Sequence, residues 1–219
     1  MWPELQGRVL QQQDGLAVTN GPGIDHRQRL VQVDLEHGDV LTFRDIATPG
    51  RLAIRLIQPG QIVFIDGGTT NVQLVRHLPK KLEITVVTHS LNIAVELVEH
   101  PLIEVELIGG RLFEHSFVTL GAACAEAIAR VRVDSYFMGV TGLHPETGAT
   151  TGNAEEAAIK RIISRQAAET FVLATREKLG AASRYGIIPV ADISTLVTDA
   201  APEDEALGKL SARVPVIHA

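Results

Sequence analysis

The chain reads as an α/β protein, with a mostly parallel sheet and helices on both of its faces. Three observations predict this. Short runs of Val, Ile and Leu recur along the chain, as in Ile62-Val63-Phe64-Ile65, Ile84-Thr85-Val86-Val87-Thr88 and Phe171-Val172-Leu173-Ala174, and such runs suit strands buried on both faces. Between them lie stretches with apolar residues at helical spacing, an alternation that implies right-handed crossovers. Aromatics are only 4% of the 219 residues, which fits helices packed on a parallel sheet better than an aromatic-rich all-β design.

Composition narrows the function. A formal charge of −6, with no basic run, argues against nonspecific nucleic-acid binding by the whole surface. Cys124 is the only cysteine, so no intrachain disulfide forms and a reducing compartment is expected. It lies among small residues, Gly121-Ala122-Ala123-Cys124-Ala125, and reads as a packed small hydrophobe. The eight histidines show no metal-ligand spacing, so neither metal nor cofactor is expected. No apolar run approaches membrane-spanning length and no signal peptide opens the chain, so a cytoplasmic protein is expected.

In order along the chain, residues 1–45 form an irregular segment, read as a remnant linker. Its best local order is the alternation Val31-Gln32-Val33-Asp34-Leu35 and Val40-Leu41-Thr42-Phe43, a hairpin at most, and the first 30 residues are expected to be weakly structured around Gly21-Pro22-Gly23. A single domain is expected over 46–219. Thr48-Pro49 reads as an N-cap with proline in the first turn, followed by Leu52, Ala53, Leu56 and Ile57 on one face. After the strand at 61–66 comes a helix at 69–79. The strand at 84–88 leads to a helix from Ser90 whose stripe is Leu91, Ala94, Val95 and Val98. A strand at 103–108, a small-residue helix at about 119–130 and a strand at 134–140 follow, then a Gly- and Thr-rich loop from Thr141 to Gly152. Asn153 caps a helix with Glu156 at capping-box spacing and Ala158, Ile159, Ile162 and Ile163 on its buried face. Glu156 and Lys160 read as a surface i,i+4 pair worth about 0.3 kcal/mol, with no functional role. Strands at 171–174 and 195–198, a helix at 202–213 and a last strand at 214–217 complete the chain.

The segment Asp66-Gly67-Gly68-Thr69-Thr70 breaks the most apolar strand into a helix. Two glycines bring backbone amides close to a ligand and the threonines add hydroxyls where the helix begins, so a phosphate or carboxylate is the natural guest; the plainer reading is a bend with a helix cap. The motif lacks the Gly-x-Gly-x-x-Gly of a dinucleotide site and the lysine of a P-loop. In a parallel sheet ligands sit at the carboxyl ends of the strands, and those ends also carry Thr88-His89-Ser90, Gly109-Gly110-Arg111, Gly139-Val140-Thr141-Gly142 and Lys178. Asp66 would accept from sugar hydroxyls or fix the turn. Gly67, Gly68, Thr69, Thr70, Thr88, His89, Ser90 and Gly110 would surround the anion, and Lys178 would neutralise it or stand solvated.

These motifs, with Asp134-x-x-Phe137-x-Gly139-x-x-Gly142, Leu173-Ala174 ahead of Lys178-x-Gly180, and Leu196-Val197-Thr198-Asp199, together resemble the C-terminal effector-sensing domain of DeoR/GlpR-type transcriptional regulators, from about residue 46 to about 200. The resemblance implies a fold similar to ribose-5-phosphate isomerase A and CoA-transferases. It also implies a phosphorylated sugar or related metabolite as effector, and a homo-oligomeric repressor of carbohydrate metabolism rather than an enzyme. The family more often has Asn at the position of His89 and Asp at that of Thr175. It usually carries a helix-turn-helix ahead of the sensor, which residues 1–45 are too few to hold, so DNA binding is expected only through a module not evident in this chain. An aldose-ketose isomerase is the alternative. The similar isomerases place Asp in the turn after the strand matching 134–140, and Gly139-Val140-Thr141-Gly142 has none, so no catalytic residue is assigned. Direct DNA binding by Arg27, Arg29, Arg44 and Arg51 is disfavoured, because they are dispersed over an acidic chain.

Overall fold

The run Ile62–Ile65 has no polar position, and the fold sets it inside a sheet with a strand on either side. The computed structural model describes residues 47–218 throughout and, ahead of them, the backbone of β1 (Gly23–Ile24), β2 (Arg29–Val33) and β3 (Val40–Asp45). The chain divides into two compact units, residues 1–47 and 48–219. In the first, β1, β2 and β3 form an antiparallel sheet in that order, with Val31 opposite Phe43 in the place of the expected hairpin. β1 apart, the expectation of weak structure in the first 30 residues lies outside the described residues, as do the side chains of Arg27, Arg29 and Arg44.

The second unit begins with α1 (Ala47–Ala53), followed by β4 (Ile62–Ile65), α2 (Thr69–Arg76), β5 (Ile84–Thr88), α3 (Leu91–Leu97) and β6 (Ile103–Leu107). A hairpin, β7 (Arg111–Phe113) and β8 (Val118–Leu120), precedes α4 (Ala122–Ala129) and β9 (Val133–Gly139). Then come β10 (Gly142–His144), β11 (Gly148–Thr151), α5 (Ala154–Gln166), β12 (Ala167–Leu173), β13 (Tyr185–Gly186), β14 (Thr195–Thr198), α6 (Glu205–Ser211) and β15 (Val216–His218). The main sheet has seven strands in the order β15-β14-β12-β9-β4-β5-β6, and every pairing in it is parallel. Strand order therefore reverses between β4 and β9, which leaves a crevice at their carboxyl ends.

Each face of the sheet carries its own core. Val63 and Ile65 pack with Leu74, Ile93 and Leu97 on one side, while Phe64 packs with Tyr136, Ile159 and Leu207 on the other. Alternate residues of β4 thus enter different cores, as the alternation of a pleated strand requires.

Several elements depart from expectation for local reasons. α1 starts at Ala47, so Thr48 and Pro49 lie inside its first turn, where proline's missing N–H costs nothing. The region 119–130 is not one helix; it begins as β8 and turns at Gly121. The Gly- and Thr-rich stretch 141–152 is a hairpin, β10 with β11, extended by β13. α3 buries Ile93 and Leu97 rather than the expected stripe, and leaves Val95 and Val98 outside. On α5 the Asn153 side chain accepts from the N–H groups of Glu155 and Glu156, as its capping position predicts, but the buried residues are Ala157, Ile159, Lys160 and Ile163. A lysine inside that apolar face requires a buried partner.

Candidate functional site

That partner is Asp66, at the carboxyl end of β4 in the crevice. Its side chain is 1% exposed and both oxygens are fully engaged. Oδ1 accepts from the Gly67 amide at 2.7 Å and from His89 Nε2 at 3.0 Å. Oδ2 accepts from Tyr136 Oη and the Gly139 amide, each at 3.1 Å, and from the Lys160 ammonium. Lys160 also donates to the Gly139 carbonyl at 2.8 Å and stands 3.5 Å from Glu156, which accepts from the Thr151 hydroxyl. Asn71 closes the joint from α2, donating to the carbonyls of Asp66 and Phe137 at 3.0 Å each.

A Cβ on Gly139 would come within 2.6 Å of the Gly67 carbonyl, so glycine there lets the ends of β4 and β9 close on each other. At Gly68 the space is open, and it is the φ of 117° that favours glycine.

Electrostatics follow from the contacts. Burial alone would raise the Asp66 pKa, but Lys160 and His89 overcome it and hold the carboxyl well below its usual range. For His89 burial opposes the charge, and the hydrogen bond and field of Asp66 prevail, lifting its pKa to about 9. Geometry agrees, because His89 Nδ1 faces the Thr119 carbonyl at 2.9 Å. Both ring nitrogens meet acceptors, so both carry protons and the ring is an imidazolium. Burial likewise works against the Lys160 charge, and Asp66 with Glu156 raises its pKa. Burial and the Asp66 anion push Tyr136 far up, so it stays a neutral donor.

The expected site residues fall into three groups. Asp66, Thr88 and His89 are buried and internally paired: the Thr88 hydroxyl donates to the Ile65 carbonyl at 2.7 Å and accepts from the Ser90 amide at 3.1 Å. Of the two roles expected for Asp66, these contacts match the fixing of the turn. Gly67, Gly68, Thr69, Thr70, Ser90 and Lys178 form the second group. α2 has no side-chain cap at Gly68, so its first-turn amides rely on some other acceptor. The Thr70 and Ser90 hydroxyls are buried with no hydrogen-bond partner among the described residues, and Ser90 Oγ would lie 3.4 Å from a Cβ on Gly67.

Lys178 sits half-buried at the end of a 3₁₀ turn after β12, next to β9 in the sheet. Burial lowers its pKa, with Glu177 opposing and Lys160 adding to the depression. At the position where the resemblance places Asp, the Thr175 hydroxyl instead donates to Glu177, and Asp199 accepts from the Arg176 amide at 2.7 Å. Gly110 stands apart beyond β6, where a Cβ would strike the Leu120 carbonyl at 2.7 Å. It borders the Asp66 cluster only through Thr119, 3.3 Å from such a Cβ, whose carbonyl accepts from His89.

Sequence reasoning placed Gly139 at a strand end but did not select Lys160, Tyr136 or Asn71. One signal was present for Lys160: it lies one position after Ile159 and three before Ile163, inside the apolar stripe. The chemistry of the second group, amides at the start of α2, hydroxyls and one ammonium, suits an anion, and the buried ion cluster stiffens the turn beneath it.

The family described as the DeoR C terminal sensor domain matches residues 46–200. The HTH-type transcriptional repressor GlcR of Bacillus subtilis is 36% identical over 154 residues, which cover 70% of this chain and 58% of that protein. The chain thus spans less than two thirds of the length of that relative. Among solved structures, the translation initiation factor eIF-2B of Pyrococcus horikoshii aligns with a TM-score of 0.51 at 13% identity, over 69% of this chain and 61% of that one. Ribose 5-phosphate isomerase A of Methanocaldococcus jannaschii aligns with a TM-score of 0.45 at 16% identity, over 61% and 52%. At such identities the likeness concerns the fold alone.

Proposed function

Because the chain belongs to the family of DeoR C-terminal sensor domains, we infer that it is the effector-sensing part of a transcriptional repressor of carbohydrate metabolism, and that its effector is a phosphorylated sugar or related metabolite. One observation carries the reading. Lys178 holds a half-buried ammonium with no hydrogen-bond or ion-pair partner among the described residues, at the strand-end edge that also carries the uncapped amides of α2 and the orphaned hydroxyls of Thr70 and Ser90. An unpaired cation with depressed pKa beside unused donors gains most from a dianion.

The sugar phosphate lies with its phosphoryl group on the first turn of α2 and Lys178, and its hydroxyls toward Ser90. The chain acts in the cytoplasm as a homo-oligomer, and DNA contact is made by a helix-turn-helix outside the matched region. No helix among the described residues is long and apolar enough to cross a membrane.

The chain is read as a sensor and not as an isomerase. Both Asp66 oxygens are occupied by donors, so this carboxylate has no role as a base toward a substrate C–H. Thermal unfolding of the folded chain in the presence of a panel of sugar phosphates tests the reading. At least one member of the panel is expected to raise the midpoint while the unphosphorylated sugar leaves it in place. A uniformly flat panel, or turnover of an aldose phosphate to its ketose, would overturn the reading.

A further inference from the structure

We propose that the cleft between the last turns of α5 and the segment 187–194 binds a small organic anion, a carboxylate or a phosphate ester, through the guanidinium groups of Arg161 and Arg165. The cleft has a volume of about 400 Å³, within the range of small-molecule sites and more than a bare inorganic ion would fill. It lies at the amino-terminal end of β12, where the Thr170 carbonyl accepts from the Ser194 amide at 2.8 Å. Lys178 follows the opposite end of that strand, so the cleft is separate from the crevice at Asp66 and α2.

Pairing sets these two arginines apart. Arg76, Arg111, Arg130 and Arg176 each meet a carboxylate, that of Glu96, Glu155, Glu126 and Asp204 in turn. Arg161 and Arg165 stand one helical turn apart and form no ion pair among the described residues, although the chain carries a formal charge of −6. Arg161 donates to the Gly186 carbonyl, while the Arg165 guanidinium makes no hydrogen bond among the described residues. Like charges at i,i+4 repel. The negative end of the helix dipole offsets this in the last turn alone, and there Arg132 already donates to the Arg165 carbonyl at 3.3 Å. An anion bridging the two forks removes the repulsion.

The rest of the lining is rich in donors as well. The Ser194 hydroxyl accepts from the Thr170 amide at 3.0 Å, and its own proton is unspent among the described residues. The Ser164 and Thr170 hydroxyls share one hydrogen bond at 3.1 Å, which leaves one of their protons unused there too. Against these donors stands a single carboxylate in the lining, Asp192, which pairs with neither arginine. Ile187 and Ile188, both buried, supply an apolar wall. Paired guanidinium forks and hydroxyl protons select the oxygens of a carboxylate or phosphate. The apolar wall and Asp192 favour a carbon skeleton bearing a hydroxyl over an inorganic ion.

Amide resonances of the isotope-labelled full chain, followed during titration at constant ionic strength, test the proposal. Citrate is the probe that carries carboxylates alone, and glycerol 2-phosphate the one that carries a phosphate alone. At least one of them is expected to shift the amides of Ile187, Ile188 and Ser194 to saturation, and which one does so assigns the anion. Arg165→Gln removes no hydrogen bond or ion pair among the described residues and is expected to weaken this binding by about 10-fold or more. Ser194→Ala is expected to weaken it severalfold. Arg55→Gln takes the same charge from another exposed position and is expected to leave it unchanged. No saturable shift with either probe, shifts centred on residues 67–70 instead, an affinity unmoved by Arg165→Gln, or equal weakening by Arg55→Gln would overturn the proposal.

Discussion

Two sets of polar side chains meet at the carboxyl end of the sheet, and the fold treats them oppositely. Around Asp66 every buried charge is matched: two oxygens receive five donors, and the cations Lys160 and His89 face the anion directly. Among the described residues the Thr70 and Ser90 hydroxyls have no hydrogen-bond partner, and Lys178 makes no direct ion pair, although Glu177 and Asp199 favour its charge from a distance. The first set is complete without a ligand; the second is incomplete, and under the proposed function it is where the effector binds. If so, breaking the first set destabilises the protein, while breaking the second weakens binding and leaves stability nearly untouched.

The largest effect is expected from Asp66→Ala, which strands two buried cations. We expect a loss of about 3–5 kcal/mol, the range for breaking a buried ion pair by removing one partner. Chemical denaturation measures it. In a Lys160→Met background the same substitution is expected to cost measurably less, because part of the stranded charge is gone.

The pH dependence sharpens the comparison. The folded pKa of His89 is raised from 6.5 to about 9, so its stabilising contribution is fully present below pH 6.5 and is lost as pH rises through 9. The total is on the order of 3 kcal/mol. His89→Asn is expected to flatten this alkaline slope in pH-dependent unfolding. Asp66 contributes in the opposite sense, since its folded pKa is depressed. Its share is present above the ordinary carboxylate value of about 4 and disappears as pH falls through the lowered folded value.

Lys178→Met addresses the other set. It is expected to leave stability unchanged or slightly raised, because an unpaired half-buried charge is removed. Affinity for the sugar phosphate that shifts unfolding most should fall about 10- to 100-fold, the equivalent of one charge-assisted hydrogen bond. Ser90→Ala is the smallest change: within about 0.5 kcal/mol in stability, with a severalfold loss of affinity by calorimetry.

The same contrast accounts for what could be read from the sequence. The β4 turn was legible because an apolar run ending in two glycines has few alternatives, and Asn153 was legible because caps are local. Lys160 was not. Its neighbour Glu156 supplies an ordinary surface partner at i,i+4, whereas the partner that holds it lies 94 positions earlier, and no local pattern reports such a contact. α3 misled for a related reason. Both of its sides are apolar, and the better-spaced stripe is the one the single chain leaves exposed. Residues 141–152 concealed a hairpin because strands of three and four residues are too short to show alternation.

The most direct measurement is the pKa of Lys178 itself, read from the lysine Cε resonance as pH is varied with and without the sugar phosphate that stabilises the chain most. In the free protein the value is expected below that of an ordinary lysine, and the ligand is expected to raise it as the phosphoryl group supplies the missing counter-charge. A value that stays depressed with the ligand bound would place the phosphate elsewhere and remove Lys178 from the site.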